Sequence, residues 1–206
     1  MLTGLTVRDY TAKLASGEPT PGGGSAAALV GALAAALGEM MSNFTAGKEG
    51  WDQIQPALGE LTAHRDALLD LADRDAEAYA AVGAAYKLPK STDDEKAARA
   101  AAIQAALKAA AQVPLAVIEH VSALVEVLPV VLDYGNRNLV SDVGVAADFA
   151  QSALRCAWLN VEVNLASLKD EEYKTEVRKT MEEQISTAEK TATDVWDATL
   201  LLVMPE

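Results

Sequence analysis

Asp75 stands seven residues after Leu68, three after Ala72 and four before Tyr79. On a helix those intervals put it on one apolar stripe with Leu61, Leu68, Ala72, Tyr79, Val82 and Tyr86. The acids Asp66, Asp70, Asp73 and Glu77 share another ridge, which reads as a solvated face. A carboxylate on a buried stripe is costly unless a neighbouring helix pairs it or it works as an acid or base. Both readings of Asp75 are open at this level. His64, three residues after Leu61, lies on the same stripe and reads as a hydrogen-bonded core histidine.

A second set of polar residues follows the breaker DYGNRN. There Asp148, Ser152, Arg155 and Glu162 form the expected solvent ridge. Asn160 and Asn164 are each two positions from Glu162, about 200° around the helix, and so are expected to point inward with Phe149, Ala153 and Cys156. Asp142 begins that face. Interhelical hydrogen bonding accounts for Asn160 as well as ligand binding does, and Asp142 reads equally as an N-terminal cap. Cys156, the only cysteine, has an apolar setting and no base near it in sequence, which reads as inert packing.

The segment PTPGGGS opens a helix. Three glycines let backbone approach a ligand, and free N–H groups at a helix start favour an anion. No Gly-Lys-Ser/Thr follows and no strand precedes, so it is neither a P-loop nor a dinucleotide fingerprint. A plain turn is the alternative.

The elements that must hold these residues are all helical. A short helix is expected over about Thr6–Ala15, and a second from Ser25, as cap, to about Asn43. In the second, Ala27, Gly31, Ala34, Ala35 and Gly38 would let another helix approach closely. A third spans Trp51–Tyr86. A fourth starts at Ser91 or Thr92, with Asp93, Asp94 and Glu95 in its first turn, and runs to about Gln112. Pro114 then marks a break or kink before a helix to about Val131. Helices over about Leu139–Leu168 and Glu171–Val203 complete a single all-α domain, residues 1–206.

Composition agrees with that architecture. Half of the 206 residues are hydrophobic but only 5% are aromatic, so the core must be Ala, Leu and Val. Lys plus Arg is 17 against 30 Asp plus Glu, a net charge of −13, which argues against nucleic acid and anionic membranes as partners. One cysteine excludes an internal disulfide and multi-cysteine metal sites. MLTGLTVRDYTAKL lacks a basic start followed by an apolar run, and the apolar stretch Ser25–Gly38 is short for a bilayer; a buried core helix in a cytoplasmic protein is expected.

Four segments in order, PTPGGGSAAAL, FTAGK, DAEAYAAVGAAYKLPKSTDDEKAARAAAIQAALKAAAQVPL and GNRNLVSDVGVAADFAQSALRCAWLNVEVNL, resemble the cyclodeaminase/cyclohydrolase family. That family comprises the C-terminal domain of formiminotransferase-cyclodeaminase and free-standing methenyltetrahydrofolate cyclohydrolases. The resemblance runs from about Val7 to about Asp170. It implies an all-helical homodimer that processes a folate, with no metal or cofactor. It also implies roles. Pro21, Gly22, Gly23, Gly24 and Ser25 would line the folate pocket, and Lys48 occupies the Thr-x-Gly-Lys position. Asp75, Lys90, Arg99 and Gln104 fall in the central motif, and Asn136, Asn138, Ser141 and Asp142 in Gly-Asn-x-Asn. With Asn160, these are the expected site residues. Lys48, Asp75 and Asp142 are the catalytic candidates.

The substrate so implied carries a cationic amidinium carbon. Its hydrolysis needs water delivered to that carbon and a proton for the departing nitrogen. Lys87, Lys90 and Arg99 are candidate partners for an anionic glutamate tail. Formimino ring closure with ammonia loss, and a non-catalytic folate binder, are the competing readings. A helix of about twenty residues is roughly 30 Å long. Lys48 therefore reaches a glycine loop only if the chain folds back or a partner subunit supplies the loop.

Overall fold

The structure is a computed structural model that describes residues 1–204. Among these no strand forms. The helices are α1 (Val7–Leu14), α2 (Gly23–Thr45), α3 (Trp51–Tyr86), α4 (Asp93–Tyr134), α5 (Val140–Ala166) and α6 (Glu171–Val203), with a 3₁₀ turn at Arg137–Leu139 before α5. The all-α, single-domain expectation is met.

Two features differ from the sequence reading. α2 starts three residues early, with Gly22 rather than Ser25 as its N-cap, and Ser25 sits inside the first turn with its side chain buried. Pro114 does not break α4, which runs unbroken through Pro114 and Pro129 for 42 residues. The row Val113, Val117, Ile118, Val121, Leu124, Val125 and Leu128 is buried, and its burial outweighs the roughly 3 kcal/mol cost of an interior proline. The α4 start follows the sequence closely. Thr92 Oγ1 accepts from the Glu95 N–H while the Glu95 carboxylate accepts from the Thr92 N–H.

α2 packs between α3 and α5, α4 covers α3 and α5, and α6 lies on α4 and α5. α2 and α3 run antiparallel in a register set by glycines seven residues apart. Gly24 faces Asp75, Gly31 faces Leu68 and Val121, and Gly38 faces Leu61 and Leu128. A Cβ at Gly31 would lie 2.8 Å from Val121, and one at Gly38 would lie 3.0 Å from Leu61. Absent side chains are thus what bring the helices together. α5 also runs antiparallel to α2: the Asn136 N–H, just before α5, donates to Thr45 Oγ1 at the end of α2, while Asn160 lies by Gly23 at its start.

The chain turns sharply after α2. Gly50 has φ +87°, and a Cβ there would lie within 2.3 Å of the Tyr134 carbonyl, so this bend requires glycine. It ties the α2–α3 link, which carries Lys48, to the end of α4.

α2 and α4 are long and apolar enough to cross a membrane by length and composition, but 61% of the relevant α2 window is buried in the bundle. His64 is held as a core histidine is expected to be: its Nδ1 lies 3.0 Å from His120 Nδ1 in a half-buried pair. On the acidic ridge of α3, Asp73 departs from a solvated role. It accepts from the Leu2 and Thr3 N–H groups and from Thr3 Oγ1, fastening the N-terminal segment.

Candidate functional site

α3 continues eleven residues beyond Asp75, past the point where α2 begins. The residues beyond Asp75 therefore lack α2 over them and keep only α4 on one side. Tyr79 and Tyr86, expected in the core, are 57% and 47% exposed. They form one wall of a cleft of about 410 Å³. The other walls are the glycine turn at Pro19, Thr20 and Gly22–Gly24, Leu107 and Ala110 of α4, and Asn160, Val163, Asn164 and Ser167 at the end of α5.

Asp75 lies at the cleft edge. Its Oδ2 accepts the Ser25 N–H at 3.0 Å, so it caps α2 from another helix in place of the side chain Gly22 lacks. No Lys, Arg or His forms an ion pair with it among the described residues. The salt-bridge reading is thus not what holds it. Burial pushes its carboxyl above its ordinary value, while the Ser25 N–H pulls it down less strongly. A carboxyl so placed, half-buried beside an apolar wall and without a counterion, suits proton transfer.

Asn160 and Asn164 do not bond across helices. Each donates its amide N–H to the carbonyl four residues earlier in α5, Cys156 and Asn160 respectively, at 2.8 and 3.0 Å. Each carbonyl oxygen stays available to a ligand, and two amide oxygens one turn apart suit the donors of a pterin edge. The expected inward face of α5 is only partly inward. Ala153 is buried, but Cys156 is exposed, and Phe149, Asn160 and Asn164 are half-buried. The cause is that no helix among the described residues covers that side of α5.

Of the expected site residues, Gly22, Gly23, Gly24, Asp75 and Asn160 share this cleft. Pro21 and Ser25 are buried behind it, and Ser25 Oγ pairs with Tyr10 Oη at 3.0 Å. Lys90 is exposed in the loop that follows Tyr86. Arg99 donates from Nε and Nη2 to the Tyr86 carbonyl at 3.1 and 3.0 Å, with its guanidinium over the Tyr86 ring; it closes the end of α3 and fixes a cleft wall. Gln104 braces the α5–α6 link. It donates to the Ser167 carbonyl and accepts from the Lys169 N–H, which fixes Ser167 at the cleft.

The remaining candidates sit at the other end of α2. Lys48 donates Nζ to the Phe44 carbonyl, four residues back. The Asn136 side chain accepts from the Asn138 N–H to start the 3₁₀ turn. Ser141 and Asp142 lie in the first turn of α5, which has no side-chain cap, so Asp142 is a first-turn acid rather than the cap. Along α2's 23 residues the two groups are separated by about 34 Å.

Tyr79, Tyr86, Asn164 and Ser167 are cleft residues beyond those expected from the sequence. For the tyrosines the signal was available: α3 is longer than α2, so an antiparallel pair must leave its far end uncovered.

Among the described residues no group of three or more His, Cys, Asp or Glu is placed to hold a metal ion.

A sequence profile described as Formiminotransferase-cyclodeaminase matches residues 6–183. A methenyltetrahydrofolate cyclohydrolase of Methylorubrum extorquens is 43% identical over 181 residues, covering 86% of this chain and 87% of the relative. The formimidoyltransferase-cyclodeaminase of Rattus norvegicus is 35% identical over 181 residues; the match covers 86% of this chain but 34% of that protein. The crystal structure of a formiminotetrahydrofolate cyclodeaminase from Thermotoga maritima superposes with a TM-score of 0.78 at 33% identity, covering 98% of this chain and 97% of that one.

Proposed function

Since this chain belongs to the formiminotransferase-cyclodeaminase family, we propose that it hydrolyses 5,10-methenyltetrahydrofolate to 10-formyltetrahydrofolate. The observation that carries this reading is the end-to-end match to a free-standing cyclohydrolase, 86% of one chain against 87% of the other. The cleft suits such a substrate. Tyr79 and Tyr86 offer ring faces to a flat bicycle, Asn160 and Asn164 offer amide oxygens to its edge, and Asp75 offers a carboxylate to its cationic carbon.

In this reading Asp75 accepts a proton from the attacking water, and the new C–O bond makes a tetrahedral adduct at the former amidinium carbon. The adduct collapses to the formyl group as its hydroxyl gives up its proton to solvent and one ring C–N bond breaks, the bonding pair leaving on the ring nitrogen. The departing nitrogen takes a proton, for which Lys48 is the candidate donor. No cofactor is required, and a cytoplasmic location fits the acidic chain.

Lys48 and Asp142 cannot meet Asp75 within one copy, so the reading includes a homodimer. The outer ridges of α2 and α5 support it. Val30, Leu33, Leu37 and Phe44 on α2, with Val145, Phe149, Leu159 and Val163 on α5, are apolar and half-buried or exposed. The one charge in α2, Glu39, is turned inward to Arg65 and Thr62. A two-fold axis across the middle of this face would set the Lys48 end of one copy over the glycine turn of the other.

Two measurements test the proposal. Loss of methenyltetrahydrofolate absorbance with purified protein is expected; ammonia release from the formimino compound without that loss would overturn it in favour of the cyclodeaminase. That second reading has its own support in the end-to-end likeness to the Thermotoga maritima structure. For the shared site, Lys48→Met and Asp75→Asn proteins, each inactive alone, are expected to regain activity on mixing. No recovery after demonstrated subunit exchange refutes it.

A further inference from the structure

Three adjacent glycines open α2, and they are not equivalent. A Cβ on Gly22 would have open space around it, and one on Gly23 would make ordinary contact with the Asn160 amide at 3.5 Å. A Cβ on Gly24 would fall 2.1 Å from Asp75 Oδ1 and 2.6 Å from its Cγ, inside any possible contact distance. Conformation does not explain this glycine, because among the described residues positive φ occurs only at Gly47 and Gly50. Space does. Gly24 continues the series Gly38, Gly31, Gly24, and Asp75 continues the facing series Leu61, Leu68, Asp75. At the last step the partner is a carboxylate, and the approach is the tightest of the three.

We infer that Gly24 is a positioning residue for Asp75: its missing side chain lets the carboxylate lie flat against the first turn of α2, with one oxygen on the Ser25 N–H and the other against the Gly24 Cα at the cleft. The glycine motif then acts at this position on the protein's own anion rather than on one brought by a ligand. The Asp75 side chain is free to rotate and α2 is not. A methyl at Gly24 would therefore move the carboxylate, breaking the Ser25 bond and its aim at the cleft. The inference rests on the reading of Asp75 as the base. Its structural half, the coupling of position 24 to position 75, does not depend on that reading.

The experiment is a double-mutant cycle read in two ways. Thermal unfolding is measured for wild type, Gly24→Ala, Asp75→Ala and the double variant. Gly24→Ala is expected to lower Tm by several degrees in the wild-type background and to cost nothing once Asp75 is truncated. Steady-state kinetics are measured for Gly24→Ala, Asp75→Asn and their combination. Gly24→Ala is expected to lower kcat on the order of 10²-fold with little change in KM, to displace the acid limb of the kcat–pH profile, and to add nothing to Asp75→Asn. Gly31→Ala, at a crowded glycine outside the cleft, controls for packing and is expected to lower Tm with kcat unchanged. Additive Tm losses, or a rise in KM alone, would overturn the inference. If Gly24→Ala does not fold, the Gly24→Ala/Asp75→Ala double variant decides: a folded double variant supports the coupling, an unfolded one overturns it. A wild-type protein that fails to hydrolyse the methenyl compound defeats the proposed activity, while the thermal cycle still reports on Gly24 and Asp75.

Discussion

Replacing Asp75 by Asn removes a charge and almost nothing else. The amide oxygen can take the place of Oδ2 and accept the Ser25 N–H, so the cap on α2 survives. Asp75 has a folded-state pKa raised above its unfolded value by burial. The folded state therefore holds the proton more tightly than the unfolded one. The ionised carboxyl weakens folding increasingly as pH rises from the unfolded value, near 3.9, through the folded one. At pH 7 the amide escapes that penalty. Stability of Asp75→Asn is thus expected within about 1 kcal/mol of wild type or above it, and wild type should lose stability relative to the variant between pH 4 and 7. Turnover should move the other way. Loss of a general base costs roughly 10²–10⁴-fold, or about 2.7–5.4 kcal/mol in activation free energy. The assay is methenyltetrahydrofolate absorbance at saturating substrate against the enzyme-free rate, with urea unfolding across the same pH range. A variant with near-normal kcat that has lost 3–5 kcal/mol of stability, the signature of a broken buried ion pair, would refute the reasoning.

Arg99→Met should raise KM more than it lowers kcat, because it releases the Tyr86 carbonyl and ring that form a cleft wall; a polyglutamylated substrate should show the larger rise if Arg99 also meets the tail. Gly31→Ala should destabilise by about 1–3 kcal/mol in urea unfolding, since its Cβ would press on Val121 and Leu68 between two helices. His64 titrates below its ordinary value because of burial and then the facing His120, with Glu60 opposing. Its contribution is therefore present above about pH 6.5 and lost as pH falls through the folded value. Unfolding free energies between pH 7 and 5 should fall less steeply in His120→Phe than in wild type.

The elements were legible because their punctuation is local. The capping box at Thr92, the glycines at Gly22–Gly24 and the breaker DYGNRN each fix a helix end by chemistry within a few residues. Pro114 misled because a long apolar row elsewhere on α4 decides its fate, and a window of a few residues cannot weigh that. Asp75 and Asn160 were found by asking which polar groups fall on apolar stripes. The same rule put Tyr79 and Tyr86 in the core, since periodicity reports a face and says nothing of whether a neighbouring helix is long enough to cover it. Arg99 and Gln104 were expected to meet a ligand, whereas neither lines the cleft and their donors go to the Tyr86 and Ser167 carbonyls. Those bonds span 13 and 63 residues, and no local pattern encodes them.

The bare ridges of α2 and α5 also bear on how the chain behaves in a crowded solution before any partner is found. A strip holding Leu33, Phe44, Leu159 and Val163 is sticky toward any apolar surface, and stickiness alone does not choose a partner. The net charge of −13 supplies the choice. Copies meeting at random face one another with like charge and are pushed apart, while in the proposed dimer the uncharged strips would meet each other. If that strip is the proposed dimer seam, acidity works as a colloidal guard on it. Salt above the physiological range, which shortens the reach of that repulsion to a few ångströms, should turn dilute protein toward disordered aggregates well before it touches the fold.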